Sequence, residues 1–221
     1  MIKFGLVFLL LLAGSAFGGL TTAAPAGGAR GADPAARNRR LTALTGAAIY
    51  LLLVALAVTI VDIRRFLFAH YLVGFLLIPP LALKLGSTGY RFARYYLGDE
   101  PFRRAGAPPL LLRFVVAPLL VLSTAAVFAT GLELWLFGLQ FGSVWISAHT
   151  LSAVVMLVAV AAHLLAHTRL SVDAIVDEVA ARPRAGISRR SFVAASLAFG
   201  AVMAAASLLY ASPFTTSFAG G

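Results

Sequence analysis

All four histidines of this chain fall in apolar stretches: His70, His149, His163 and His167. His149 and His163 lie fourteen residues apart in the run Trp145–Leu165. In an α-helix that spacing is a rise of about 21 Å, close to four turns, so both rings leave one face. An ionisable side chain inside a membrane helix is costly and marks a functional site by default. Neutral imidazoles are also the nitrogen donors that haem iron takes axially. Solvated decoration would place histidines in loops, and here none lies in a loop.

The elements that carry them are membrane helices. Of 221 residues, 61% are hydrophobic and 12% are charged, against about a quarter charged in soluble domains. The apolar runs are continuous rather than alternating, which predicts an all-α polytopic transmembrane helical bundle. Five runs are long enough to span: Leu41–Ile63, Phe66–Leu85, Leu110–Phe137, Trp145–Thr168 and Phe192–Tyr210. Pro79-Pro80 predicts a kink near the end of the second. Residues 1–24 resemble a secretory signal peptide, with Lys3, an apolar run and small residues up to Ala23-Ala24. Residues 25–40 read as a disordered linker, 41–210 as the bundle, and 211–221 as a flexible tail. There is no cysteine, which excludes disulfides, c-type haem attachment and cysteine-ligated iron–sulfur clusters.

The net charge is +10, and its distribution sets topology rather than nucleic-acid binding. After the leader-like segment, fifteen basic residues lie at residues 30–40 or in and beside the second–third and fourth–fifth connections. Only Arg64 and Arg65 occupy the other side. The positive-inside rule places the long basic loops in the cytoplasm and the C-terminus outside. A cleaved leader would put residues 25–40 outside, against this count. An extra spanning segment at residues 4–20 with its N-terminus outside resolves the conflict, as does an over-early start; the sequence alone does not choose.

In this topology the second and fourth runs both descend from the outer face. His70 and His149 each lie four residues after the start of their run, so they share a depth. Two imidazoles at matched depth on neighbouring helices suit one bis-histidine haem b. His163 and His167 lie toward the inner end of the fourth run, four apart on one face. A second haem there would use either, but the second run offers only Lys84 at that depth and the first run offers no histidine.

The histidine pattern of the fourth run resembles the two-haem helix of bacterial membrane cytochromes of the cytochrome b561 type. These include the cytochrome b subunits of nickel–iron hydrogenases and formate dehydrogenases. Residues 70–113, HYLVGFLLIPPLALKLGSTGYRFARYYLGDEPFRRAGAPPLLLR, are similar to the cytochromes that accompany periplasmic molybdopterin oxidoreductases. The resemblance covers about residues 41–210. It implies a bacterial inner-membrane electron carrier between the quinone pool, or another membrane donor, and an external redox subunit. It implies His70 and His149 as ligands of one haem and His163 as a ligand of a second. The family's histidine on the first helix has no counterpart between Leu41 and Ile63, which puts that second haem in question.

Other groups read more simply. Glu133 and Asp62, near the outer ends of their runs, could accept a quinol proton or meet lipid headgroups. Trp135 and Trp145 read as interfacial anchors. The stretch Gly89–Arg104 mixes arginine with aromatics and suits haem propionates, anionic lipid or plain topological charge. Gly86–Gly89 reads as a short turn. Ser188–Val193 resembles a twin-arginine signal, though its internal position favours a cytoplasmic anchor. Two rivals to the cytochrome reading are a haem-free anchor or assembly subunit, and a small proton-coupled transporter using histidines as a relay.

Overall fold

A computed structural model of the chain describes residues 2–22, 33–107, 109–180 and 189–214. Among these the fold is all-α. The helices are α1 (Ile2–Thr22), α2 (Pro34–Val61), α3 (Ile63–Tyr96), the short α4 (Glu100–Arg104), α5 (Ala117–Phe137), α6 (Val144–Ala180) and α7 (Arg189–Ser207). Five of them, α2, α3, α5 with its preceding turn, α6 and α7, are long and apolar enough to cross a bilayer. The molecule is a multi-pass membrane protein.

Local chemistry sets the helix ends. Asp33 caps α2 by accepting from Ala35 N at 3.0 Å, with Pro34 at the first position. Asp62 alone separates α2 from α3 and accepts from Arg65 N at 3.3 Å. Asp62, which in the sequence suits proton acceptance or headgroup contact, thus also caps α3. This one-residue reversal makes α2 and α3 an antiparallel hairpin, and its end of the bundle is here called the hairpin end. A π-helical turn, Leu112–Val116, leads into α5. Pro118 has no N–H for the Phe114 carbonyl, so the ladder widens just before it.

Helices α2, α3, α5 and α6 form a four-helix bundle. Neighbours are α2 with α3, α5 with α6, and α2 with α6, while α3 touches α5 lightly. Helix α1 packs outside on α6 and α2, and α7 on α3 and α2. The buried centre combines Phe8 and Leu12 of α1 with Ile49, Leu53 and Ala57 of α2, Leu77 of α3, and Met156, Leu157 and Val160 of α6. Leu10, Leu51, Leu122 and Leu151 are exposed and form part of the apolar outer belt.

The leader-like segment is thus a built part of the bundle. Its Gly5 abuts Val61 at the hairpin end, and its Gly19 abuts the Leu164 carbonyl toward the other end. A Cβ on Gly19 would stand 2.5 Å from that oxygen, so only glycine permits the approach. Helix α1 therefore runs antiparallel to α2, the arrangement the charge count requires of an extra spanning segment. The cleavage-like residues 23–26, and residues 25–32 of the expected linker, lie outside the described residues.

Several expectations are corrected. Residues 34–40, expected in a disordered linker, are the first turns of α2. Helix α3 has a non-helical residue at Phe66 (φ −109°, ψ 16°), which the sequence does not signal, and Pro79-Pro80 are buried within the helix. The Gly86–Gly89 stretch is helical rather than a turn, and its Ser87 is buried against α2, accepting from Thr42 Oγ1 at 2.9 Å. Helices α3 and α6 run on past the expected spans, to Tyr96 and Ala180, because amphipathic ends continue the hydrogen-bond ladder beyond the apolar stretch. Residues 211–214, expected in a flexible tail, are docked: Ser212 Oγ donates to Trp135 O at 2.7 Å. Residues 215–221 lie outside the described residues.

The opposite end of the bundle is closed by charge. Buried Arg40 of α2 reaches Asp177 at 3.6 Å and Glu178 at 4.0 Å on α6. Arg189 Nε meets Glu178 Oε2 at 3.1 Å, and Arg190 donates to the Glu178 carbonyl at 2.9 Å. The paired arginines of the twin-arginine-like motif clasp α7 to α6, and Ser188 lies outside the described residues. This is here called the clasp end.

Candidate functional site

Near the hairpin end, α3 presents His70 and α6 presents His149 to each other. Their ring centroids are 6.4 Å apart with planes at 84°. The two helices are not neighbours: no described Cα of α3 comes within 8 Å of one of α6. The adjacency expected from sequence is corrected to a diagonal placement across the bundle, where only the long side chains meet. A diagonal leaves a gap at the rings.

Each ring is tethered from behind. Thr59 of α2 places Oγ1 2.8 Å from His70 Nδ1. The Thr59 hydroxyl is itself 2.6 Å from the Leu56 carbonyl, to which it donates. Its oxygen is therefore an acceptor, and His70 carries its proton on Nδ1. His149 Nδ1 lies 3.1 Å from the Val127 carbonyl and 3.1 Å from Thr130 Oγ1, both on α5. A carbonyl only accepts, so this ring too is an Nδ1–H tautomer. The Thr130 hydroxyl donates to Ala126 O at 2.6 Å.

Both Nε2 lone pairs are left for a ligand. Were one metal ion held between the two rings, His70 and His149 would be its nitrogen donors. Outer hydrogen bonds from Nδ1–H are the usual way a metal-binding imidazole is oriented and made more basic.

The surroundings leave room. Gly131 of α5 lies flat against His149: a Cβ there would stand 3.0 Å from Cε1. Gly74, one turn beyond His70, has no atom within 4 Å of where its Cβ would be. Among the described residues no group of three or more His, Asp or Glu could hold a metal ion.

Thr59, Thr130 and Gly131 were not singled out from sequence. Threonines in apolar helices usually return their hydroxyls to their own backbone, and both do so here. Only the ring on the neighbouring helix reveals the second role.

The other two histidines are arranged differently. His163 and His167 stack one turn apart on α6, with centroids 4.7 Å apart at 53°. They share a helix face and cannot take opposite sides of one iron. Lys84 of α3 lies within electrostatic reach of both, and Arg91 of His167. Lys84 Nζ donates to the Thr42 carbonyl at 2.7 Å. The structure brings no further histidine to this level.

Of the remaining candidates, Glu133 lies on α5 one turn beyond Thr130, and neither carboxylate oxygen has a hydrogen-bond partner. Trp135, expected as an interfacial anchor, is held between Phe75 at 4.9 Å and Tyr210 at 4.8 Å. The stretch 89–104 is mostly helix, with Arg94 paired to Asp99 and lying over Tyr90 and Phe102. In the connecting segment Arg104 holds the exposed Glu100 carboxyl below the usual carboxylate range by hydrogen bond and charge. Comparison with family models, with curated proteins and with solved structures finds no match.

Proposed function

We propose that this protein is an integral membrane b-type cytochrome that binds one haem between His70 and His149. The observation that carries the reading is the facing pair itself: two Nδ1–H imidazoles from diagonal helices, 6.4 Å apart, with both Nε2 atoms unclaimed. The haem would supply one-electron chemistry. The chain would supply its two axial nitrogens, tethers that fix both tautomers, and an apolar surround that keeps water from the ring. Thr59, Val127 and Thr130 hold the imidazoles so that little reorganisation is needed when the charge at the site changes.

In this reading the protein would lie in a bacterial inner membrane with the clasp end in the cytoplasm and the histidine pair on the outer side, an orientation that the positive-inside count supports. Its donor would be the quinone pool or another membrane carrier. Its partner would be an external redox subunit, in line with the molybdopterin oxidoreductases that the sequence resemblance suggests. Electron transfer within a complex suits the site better than stand-alone catalysis.

The test is a reduced-minus-oxidised spectrum of the purified chain from haem-replete cells. The expected result is a haem b α-band, absent in His70→Ala and in His149→Ala. Purified protein without a Soret band leaves the haem-free anchor or the transporter instead.

A further inference from the structure

We infer that electrons enter and leave this protein on one membrane face only, the face nearer the hairpin end, because the clasp half of the bundle carries a cationic cluster instead of a second iron site. This rests on the cytochrome reading of the His70–His149 pair. His149 lies five residues into α6 and His70 seven residues into α3, so the pair is about one to two turns from the hairpin end. From His149 to His163 is fourteen residues, about 21 Å of helix, and α6 continues beyond that to Ala180. Electron tunnelling falls off exponentially with distance, so a carrier crossing the whole membrane needs a second station in that interval.

The residues at that level do not make one. His163 and His167 leave the same face of one helix and stand 4.7 Å apart, so they cannot clamp a flat macrocycle from both sides. The group facing them from α3 is Lys84, whose Nζ donates to the Thr42 carbonyl at 2.7 Å. An ammonium has three donors and no lone pair for a metal. Arg91, the other cation in reach, donates to Gly106 O at 3.2 Å. The cluster links α2, α3 and α6 in the part of the bundle where a second carrier would sit.

The donor and acceptor must then meet the protein from the same side. A membrane donor would give up its electron in the outer leaflet, and its proton would leave to the outer aqueous phase. The exchange would move no charge across the bilayer.

The experiment uses the full-length holoprotein in oriented membrane vesicles, right-side-out and inverted, with dithionite as the impermeant reductant added outside. The expected result is haem reduction at least tenfold faster in one orientation than in the other. Pyridine haemochrome should give about one haem per chain. The His163→Ala/His167→Ala double variant should keep the haem content, the α-band and the sidedness. Equal rates in both orientations, a ratio near two haems per chain, or loss of haem in the double variant would overturn the inference. A preparation with no haem at all sinks the cytochrome reading instead, so the two failures are told apart.

Discussion

The two imidazoles are tethered unequally, and that asymmetry sets a measurable order of effects. His70 Nδ1–H has one acceptor, Thr59 Oγ1 at 2.8 Å. His149 Nδ1–H has two, the Val127 carbonyl and Thr130 Oγ1, each at 3.1 Å. Thr59→Val removes the only acceptor on one side while keeping the side chain's shape. Thr130→Val removes one of two on the other. Donating its Nδ1–H to an acceptor makes an imidazole a stronger metal ligand and favours the oxidised metal, so losing that hydrogen bond raises the reduction potential. A single hydrogen bond of this kind is worth about 0.5–1.5 kcal/mol. For a one-electron couple, with about 59 mV per tenfold, that is an upward shift of about 20–60 mV. Thr59→Val should show this shift, Thr130→Val less than half of it, and Thr59→Ser none. The assay is potentiometric titration of the α-band in detergent. Equal shifts for Thr59→Val and Thr130→Val, or a Thr59→Ser shift as large as that of Thr59→Val, would refute the tethering argument while leaving haem binding intact.

Other outcomes follow from close approaches and buried charge. Gly131→Leu sets a side chain against the His149 ring, where even a Cβ stands 3.0 Å from Cε1; haem per chain should fall while the helix content measured by circular dichroism stays. Gly200→Leu forces a side chain into the Leu76 carbonyl of α3 and should destabilise the packing of α7 by about 1–3 kcal/mol, the usual cost of overpacking, read as a lower melting temperature in detergent. Glu178→Ala removes the carboxylate that faces buried Arg40 and bonds Arg189. Breaking a buried pair from one side costs about 3–5 kcal/mol, so this variant should unfold earlier than Asp177→Ala, whose partner distance is similar but whose side chain is 44% exposed. Intact-mass measurement of the purified chain should find α1 present, since Phe8 and Leu12 are part of the buried centre; a chain beginning after residue 22 would contradict that packing.

The sequence exposes the helices well because lipid imposes one rule on the whole chain: continuous apolar runs of spanning length. Spans and hairpin order were legible on that ground. Helix ends were less so. Hydropathy reports where lipid stops, whereas the backbone ladder of α3 runs on to Tyr96 and that of α6 to Ala180, through residues whose polar side chains do not interrupt it. The non-helical residue of α3 is Phe66, where the chain has just turned out of the Asp62 cap, a break that hydropathy does not show. Helix α1 was ambiguous by nature, because a signal peptide and a short membrane helix share a composition. The structure packs it against the bundle, with Gly19 on Leu164 and Gly5 on Val61.

At the candidate site, depth was readable and azimuth was not. Counting residues from the start of two parallel spans puts His70 and His149 at one level, but says nothing of which way each ring turns. The structure adds the turn, and shows why neighbouring helices would have been the wrong requirement. Two helices in contact have axes about 8–10 Å apart, which leaves no room for two rings and a metal between them. Diagonal helices keep their backbones apart and let only the imidazoles approach, while the flanking α2 and α5 supply the acceptors Thr59, Val127 and Thr130 from behind. A four-helix bundle therefore assigns two jobs by position: one diagonal pair presents the imidazoles and the other fixes their direction. The same geometry repeated at the clasp end would require a histidine on α3 opposite His163, and the residue facing it there is Lys84.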